Sequence, residues 1–151
     1  MTQSFDFNFS LFLPYLLDQA AEASVLRFQS LHRDRYGLMQ TDWQVLFQLG
    51  LQTRLTAQEI SARAGIHKTK VSRAVQRLES RDFLRRGLDR ADRRRAPLEL
   101  TAEGLNAYAE LHSAASDYET ALARQLGDEE LETLRRSLLR LAGQERSAVR
   151  S

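Results

Sequence analysis

The chain has 151 residues, enough for one domain and too few for two independent cores. It is 42% hydrophobic and 28% charged, and its apolar runs, such as Leu11-Phe12-Leu13, break too early for a membrane span. The absence of cysteine excludes disulfides, thiol catalysis, thiolate zinc sites and a cysteine redox switch, and an N-terminus without a basic leader or cleavage site makes the cytoplasm the expected location.

The net charge of +2 conceals a partition. Between Arg54 and Arg95 there are 13 Lys and Arg against 5 Asp and Glu; the rest of the chain carries 9 against 15. A basic lobe on an acidic frame suits a polyanion-binding module, although a solvated basic face has the same composition.

Few prolines (Pro14 and Pro97), seven glycines and abundant Leu, Ala, Arg and Glu predict a mainly helical chain. A long helix is expected over 11–35, with Leu16, Leu17, Val25, Leu26, Phe28 and Leu31 as apolar faces and Tyr36-Gly37 as its end. Thr41-Asp-Trp-Gln44 fits a capping box that opens a short helix carrying Trp43, Leu46 and Phe47. Thr56-Ala-Gln-Glu59 is a second box, opening a helix that buries Ile60 and Ala64. Gly65-Ile66 breaks the chain, and a third helix follows, from His67 or Lys68 to Ser80, with Val71, Val75 and Leu78 inward.

Two extended stretches, 83–86 and 96–100, flank an arginine-rich loop; Leu98 and Leu100 alternate with polar neighbours as a half-buried strand should. Thr101 then caps a long helix to about Leu126, with Leu105, Tyr108, Leu111, Ala115, Tyr118, Leu122 and Leu126 toward its buried side. A last helix begins at Asp128-Glu-Glu130, acids suited to its positive end. Its Leu131, Leu134, Leu138 and Leu141 form a seam that needs a partner surface, either the chain's own long helices or a second copy.

Residues 56–80 therefore read as a helix-turn-helix. Ile60, Ala64, Ile66, Val71 and Ala74 face inward, while the second helix presents Lys68, Thr69, Lys70, Ser72, Arg73, Gln76 and Arg77. These are side chains that reach base edges and phosphates when a helix enters the major groove. The hairpin after it completes a winged helix, whose tip, with Arg90, Arg93, Arg94 and Arg95, is placed to straddle phosphates or enter a narrow minor groove. Asp92 is expected to brace that tip beside Arg94. The fold class is mainly α, a winged helix-turn-helix with a two-stranded wing flanked by N- and C-terminal helices.

Three stretches carry a specific resemblance: Gly37-Leu-Met-Gln-Thr-Asp-Trp-Gln-Val-Leu46, Ile66-His-Lys-Thr-Lys-Val-Ser-Arg-Ala-Val75, and Asp92-Arg-Arg94 with Leu98-Glu-Leu-Thr-Ala-Glu-Gly104. In these the chain resembles the MarR family of multiple-antibiotic-resistance regulators over essentially its whole length. The resemblance implies one domain over 1–151, with a DNA-binding lobe at 38–100 and a helical dimerisation region from 1–37 and 101–151. It also implies an obligate homodimer on a pseudo-palindromic double-stranded DNA operator, and regulation, most often repression, relieved by a small-molecule effector between the dimer helices and the DNA lobe. Residues 67–74 are similar to members linked to aromatic-acid catabolism.

An anionic aromatic effector wants a cation, a flat apolar wall and hydrogen-bond donors. Arg27, His32, Tyr36 and Trp43 are the candidates, set against an ordinary reading of Trp43 as core, Tyr36 as helix-end packing and Arg27 as a solvated charge. His32, His67 and His112 fall in different elements, so neither a metal site nor a cofactor is expected. The second functional class is an architectural or RNA-binding winged helix, told apart by sequence-blind, salt-sensitive binding. An enzyme is not expected: the chain has no Gly-x-Ser-x-Gly elbow, no phosphate-binding glycine loop and no His-Glu-x-x-His.

Overall fold

A computed structural model describes residues 7–87, 91–92 and 95–143. After a 3-10 turn at Phe9–Leu11, helix α1 runs Leu13–Gln29 and passes into a π-helical turn at Ser30–Arg35. The expected helix over 11–35 is thus three pieces. Pro14 sits in the first turn of α1, where a missing N–H leaves nothing unpaired, and the widened π turn delivers the chain to the bend at Tyr36-Gly37.

Helix α2 spans Gln40–Leu51 and corrects the expected capping box at Thr41. The cap is Met39, whose N–H donates to Asp42 Oδ2 at 2.9 Å, so Thr41 lies inside the first turn. The reason is charge: an ionised carboxylate three residues on satisfies the positive helix end better than the amide of Gln44. The second box is found where expected. Helix α3 (Ala57–Ala64) opens with Thr56 N–H on Glu59 Oε2 at 2.8 Å and Glu59 N–H on Thr56 Oγ1 at 3.2 Å. It closes on Gly65 at φ 65°, a left-handed conformation that glycine adopts without steric cost. Helix α4 spans Lys68–Ser80, capped by His67, whose Nδ1 accepts from Thr69 N–H at 3.2 Å.

Strands β1 (Leu84–Arg86) and β2 (Leu98–Leu100) pair antiparallel, with Leu84 opposite Leu100 and Arg86 opposite Leu98. They are shorter than the expected stretches. Leu55 adds an edge that the sequence did not reveal, exchanging hydrogen bonds with Leu98 at 2.8 and 3.2 Å. Helix α5 (Ala102–Leu126) starts where Gly104 N–H donates to Thr101 Oγ1. A Cβ at Gly104 would stand 1.9 Å from the Phe83 carbonyl oxygen, so only glycine lets α5 approach β1 this closely. That contact fixes the rotation of the helix. Gly104, Ala107 and Leu111 face inward, and Leu105, expected on the buried side, is 52% exposed.

The chain divides into two compact units, Met1–Leu111 and His112–Ser151. In the first, Leu38, Val45, Leu46, Ile60, Val71, Ala74, Leu78, Leu84, Leu98 and Leu111 make one core joining α2, α3, α4, the sheet and the start of α5. This unit also holds α1. In the second, α6 (Asp128–Leu141) buries Leu131, and Arg135 pairs with Glu119 on α5 and with Glu132. Leu134, Leu138 and Leu141 of the expected seam are exposed. Among the described residues no helix is long and apolar enough to cross a membrane.

Candidate nucleic-acid interface

Helix α4 separates its faces sharply. Val71, Ala74, Val75 and Leu78 are at most 1% exposed, whereas Lys68, Thr69, Lys70, Ser72, Arg73 and Gln76 are exposed. Burying the apolar stripe, at about 1.5–3 kcal/mol for each large side chain, holds the helix to the core and turns the polar stripe outward. Among the described residues Lys68, Lys70 and Arg73 form no salt bridge, which leaves three cations available on one surface.

Arg77, expected with that set, is placed differently. Its Nε and Nη2 donate to Asp42 Oδ1 at 2.9 and 2.7 Å, and Asp42 is 2% exposed. Other basic residues of the lobe are also engaged. Arg85 and Arg54 meet Glu99 at 2.7 and 3.5 Å, and Arg86 meets Glu79 at 3.0 Å, tying β1 to the end of α4. The Arg85 hydrogen bond, opposed by slight desolvation and helped by both guanidinium charges, holds the Glu99 carboxyl below its ordinary range.

At the wing, Arg95 is exposed and its N–H donates to the Asp92 carbonyl at 3.1 Å. Arg90, Arg93 and Arg94 lie outside the described residues, and with them the expected Asp92–Arg94 brace.

The four effector candidates do not form one group. His32 and Trp43 come together, with ring centroids 6.0 Å apart, in an aromatic chain that runs from Phe28 on α1 through Trp43 and Phe47 to Tyr108 on α5 at 5.0, 5.4 and 5.4 Å. His32 is buried, and its Nδ1 lies 2.8 Å from the Leu38 carbonyl; a carbonyl only accepts, so Nδ1 carries the proton. Trp43 Nε1 is buried without a hydrogen-bond partner among the described residues. Tyr36 instead gives its hydroxyl to Glu110 on α5, where Arg35 also binds at 2.9 Å. Burial, and then the Glu110 carboxylate, raise that phenol above its ordinary value. Arg27 is exposed on the last turn of α1. Among the described residues there is no group of three or more His, Asp or Glu able to hold a metal ion.

The fold is shared with solved structures of known kind. One, on the regulation of DNA binding of Bordetella bronchiseptica BpsR by 6-hydroxynicotinic acid, aligns at 24% identity and TM-score 0.79 over 90% of this chain and 96% of that one. A MarR family transcriptional regulator from Silicibacter pomeroyi aligns at 24% identity and TM-score 0.75 over 91% and 99%. NadR in complex with 4-hydroxyphenylacetate aligns at 26% identity and TM-score 0.73 over 89% and 98%. No curated protein matches the sequence. Residues 36–95, which contain α2, α3, α4 and β1 but not β2, match the MarR family model. Over those residues the sequence matches the MarR family, and the described fold is shared with a solved MarR family regulator.

MarR-family proteins are DNA-binding transcription factors and not enzymes, which agrees with the expected class. The sequence anticipated the outward face of α4 but missed Asp42 as the partner of Arg77 and Glu110 as the partner of Tyr36. The only signal for the first was an acid in the first turn of α2. Nothing local marks the second, which joins residues 74 positions apart.

Proposed function

We propose that this chain is a MarR-type, homodimeric, sequence-specific transcriptional repressor released by a small aromatic acid. The observation that carries the reading is the outward face of α4. Lys70, Arg73 and Thr69 read bases or adjacent phosphates in the major groove, Lys68 and Ser72 position the helix, and Arg95 with Arg90, Arg93 and Arg94 binds backbone or minor groove. A second copy is supported by exposed apolar side chains on both terminal helices: Leu13 and Leu16 on α1, and Leu134, Leu138 and Leu141 on α6.

For the effector, the aromatic wall of Phe28, Trp43 and Phe47 and the unpaired Trp43 N–H suit a flat ligand with a hydrogen-bond acceptor. Arg27 supplies a cation on the last turn of α1, and the His32 ring packs against Phe28 and Trp43 of that wall. The 6-hydroxynicotinic acid of BpsR and the 4-hydroxyphenylacetate of NadR support the ligand class. The effector acts by preferring a spacing of the two recognition helices that DNA does not accept, so operator affinity falls by its differential affinity for the two states.

The test is fluorescence anisotropy on a duplex that the protein enriches from a randomised pool, beside a scrambled duplex at physiological salt. The reading expects at least about a thousandfold preference for the enriched duplex. Equal, salt-sensitive binding to both would overturn it in favour of a sequence-blind module.

A further inference from the structure

We infer that Asp42 is a positioning residue for DNA recognition: its buried carboxylate fixes the pose of α4 through Arg77, so operator affinity depends on a side chain that cannot reach DNA. Both carboxylate oxygens are in use. Oδ2 accepts from Met39 N–H at 2.9 Å, which anchors it to the first turn of α2. Oδ1 receives two donors of the Arg77 guanidinium, at 2.9 and 2.7 Å. The carboxylate is 2% exposed, and Arg77 is half-buried above it, one helical turn beyond Arg73 on the same helix.

Apart from the Glu79–Arg86 pair, which holds the end of α4 to β1 and not to α2, the side chains that α4 buries are apolar: Val71, Ala74, Val75 and Leu78. Apolar burial is non-directional and tolerates sliding and small rotations. A charge-assisted pair with two converging donors has a fixed direction and length. It therefore sets the rotation and rise of α4 on α2, and with them where Lys70 and Arg73 arrive in the groove. A buried ion pair is a weak source of net stability against a well-packed apolar alternative, and a register device is its best-attested use.

The inference rests on α4 being the recognition helix, so the wild-type protein is measured first. If no duplex is enriched from the pool, the DNA reading itself has failed, before any variant is made. If one is, Asp42→Asn, Arg77→Gln and the double variant are titrated against enriched and scrambled duplexes over a salt series, with thermal melts by circular dichroism. Asparagine keeps the shape and an amide oxygen for Met39 N–H, but loses the charge and turns an NH2 group, a donor, toward the Arg77 donors. Each single variant should lose about tenfold on the enriched duplex, equivalent to about 1.4 kcal/mol. The scrambled duplex and the salt slope should hardly change, and the double variant should lose no more than either single.

Wild-type binding by Asp42→Asn, with Arg77→Gln weakened on both duplexes and its salt slope reduced by about one contact, would make Arg77 a phosphate ligand and overturn the inference. Equal losses on both duplexes in step with the unfolded fraction would overturn it in favour of a purely structural pair. Should Asp42→Asn fail to fold, Arg77→Lys decides. It keeps the charge but loses the two-donor geometry, so the enriched-to-scrambled ratio should fall, and an unchanged ratio would sink the inference.

Discussion

Single basic side chains in the winged-helix lobe divide by whether a carboxylate holds them. Arg73 is exposed and without a salt bridge among the described residues, whereas Arg54, Arg77, Arg85 and Arg86 all meet acids. Arg73→Ala is expected to cost about 1–3 kcal/mol on the enriched duplex and to relax specificity at one base step. Titration against single-base variants of that duplex checks it, and a uniform loss over all of them would assign Arg73 to phosphate. Glu99 gives a pH test. The Arg85 hydrogen bond holds its carboxyl below the ordinary value of 4.5, so the folded state favours the charged form. Its contribution is complete above that value and disappears as the pH falls through the lower, folded value. The gap in melting temperature between wild type and Glu99→Gln should therefore be small but constant near neutrality and close in acid. A gap unchanged down to about pH 3, below the usual carboxylate range, would mean that Glu99 acts by packing.

Among the elements, the helix-turn-helix sets local capping against core packing. The reciprocal Thr56–Glu59 bonds stabilise the start of α3, and Thr56→Ala is expected to cost about 1 kcal/mol. Leu78 on α4 is fully buried, and Leu78→Ala should cost about 2–5 kcal/mol, because it removes apolar contact and leaves a cavity. Urea denaturation of both variants checks the order. If the cap variant loses as much as the core variant, α3 is held by its terminus and not by Ile60 and the surrounding core. The boxes also show why one motif was legible and the other shifted. Thr56-Ala-Gln-Glu59 offers one hydroxyl and one carboxylate at the right spacing. At 39–44, Thr41 and Asp42 compete, and Asp42 prevails because its carboxylate suits the positive helix end and Arg77 holds its other oxygen.

For the whole molecule, the apolar faces left open on α1 and α6 decide the expected assembly. Leu134 and Leu138 are 43% and 41% exposed, one helical turn apart on α6. Replacing both with Glu should convert the proposed dimer to monomer in sedimentation velocity and weaken binding to a two-half-site duplex far more than to a single half-site. A variant that stays dimeric would remove this face from the interface. An assembly of this kind makes the operator a test of symmetry as well as of sequence.

The sequence by itself determined the helical character, the order of three short helices before a hairpin, the cap at Thr56, the turn at Gly65, the alternation of Leu98 and Leu100, and the polar face of α4. These follow from neighbours within a few positions, through helical and strand periodicity and the chemistry of turns. Tertiary structure alone decided that Leu55 extends the sheet, that Leu105 faces outward, that His32 is spent on the Leu38 carbonyl and Tyr36 on Glu110, and that Arg77 is bound to an acid 35 residues away. Composition shows which charges exist; only the packing of α2, α4, α5 and the sheet shows which of them are neutralised within the chain, and so which remain for DNA.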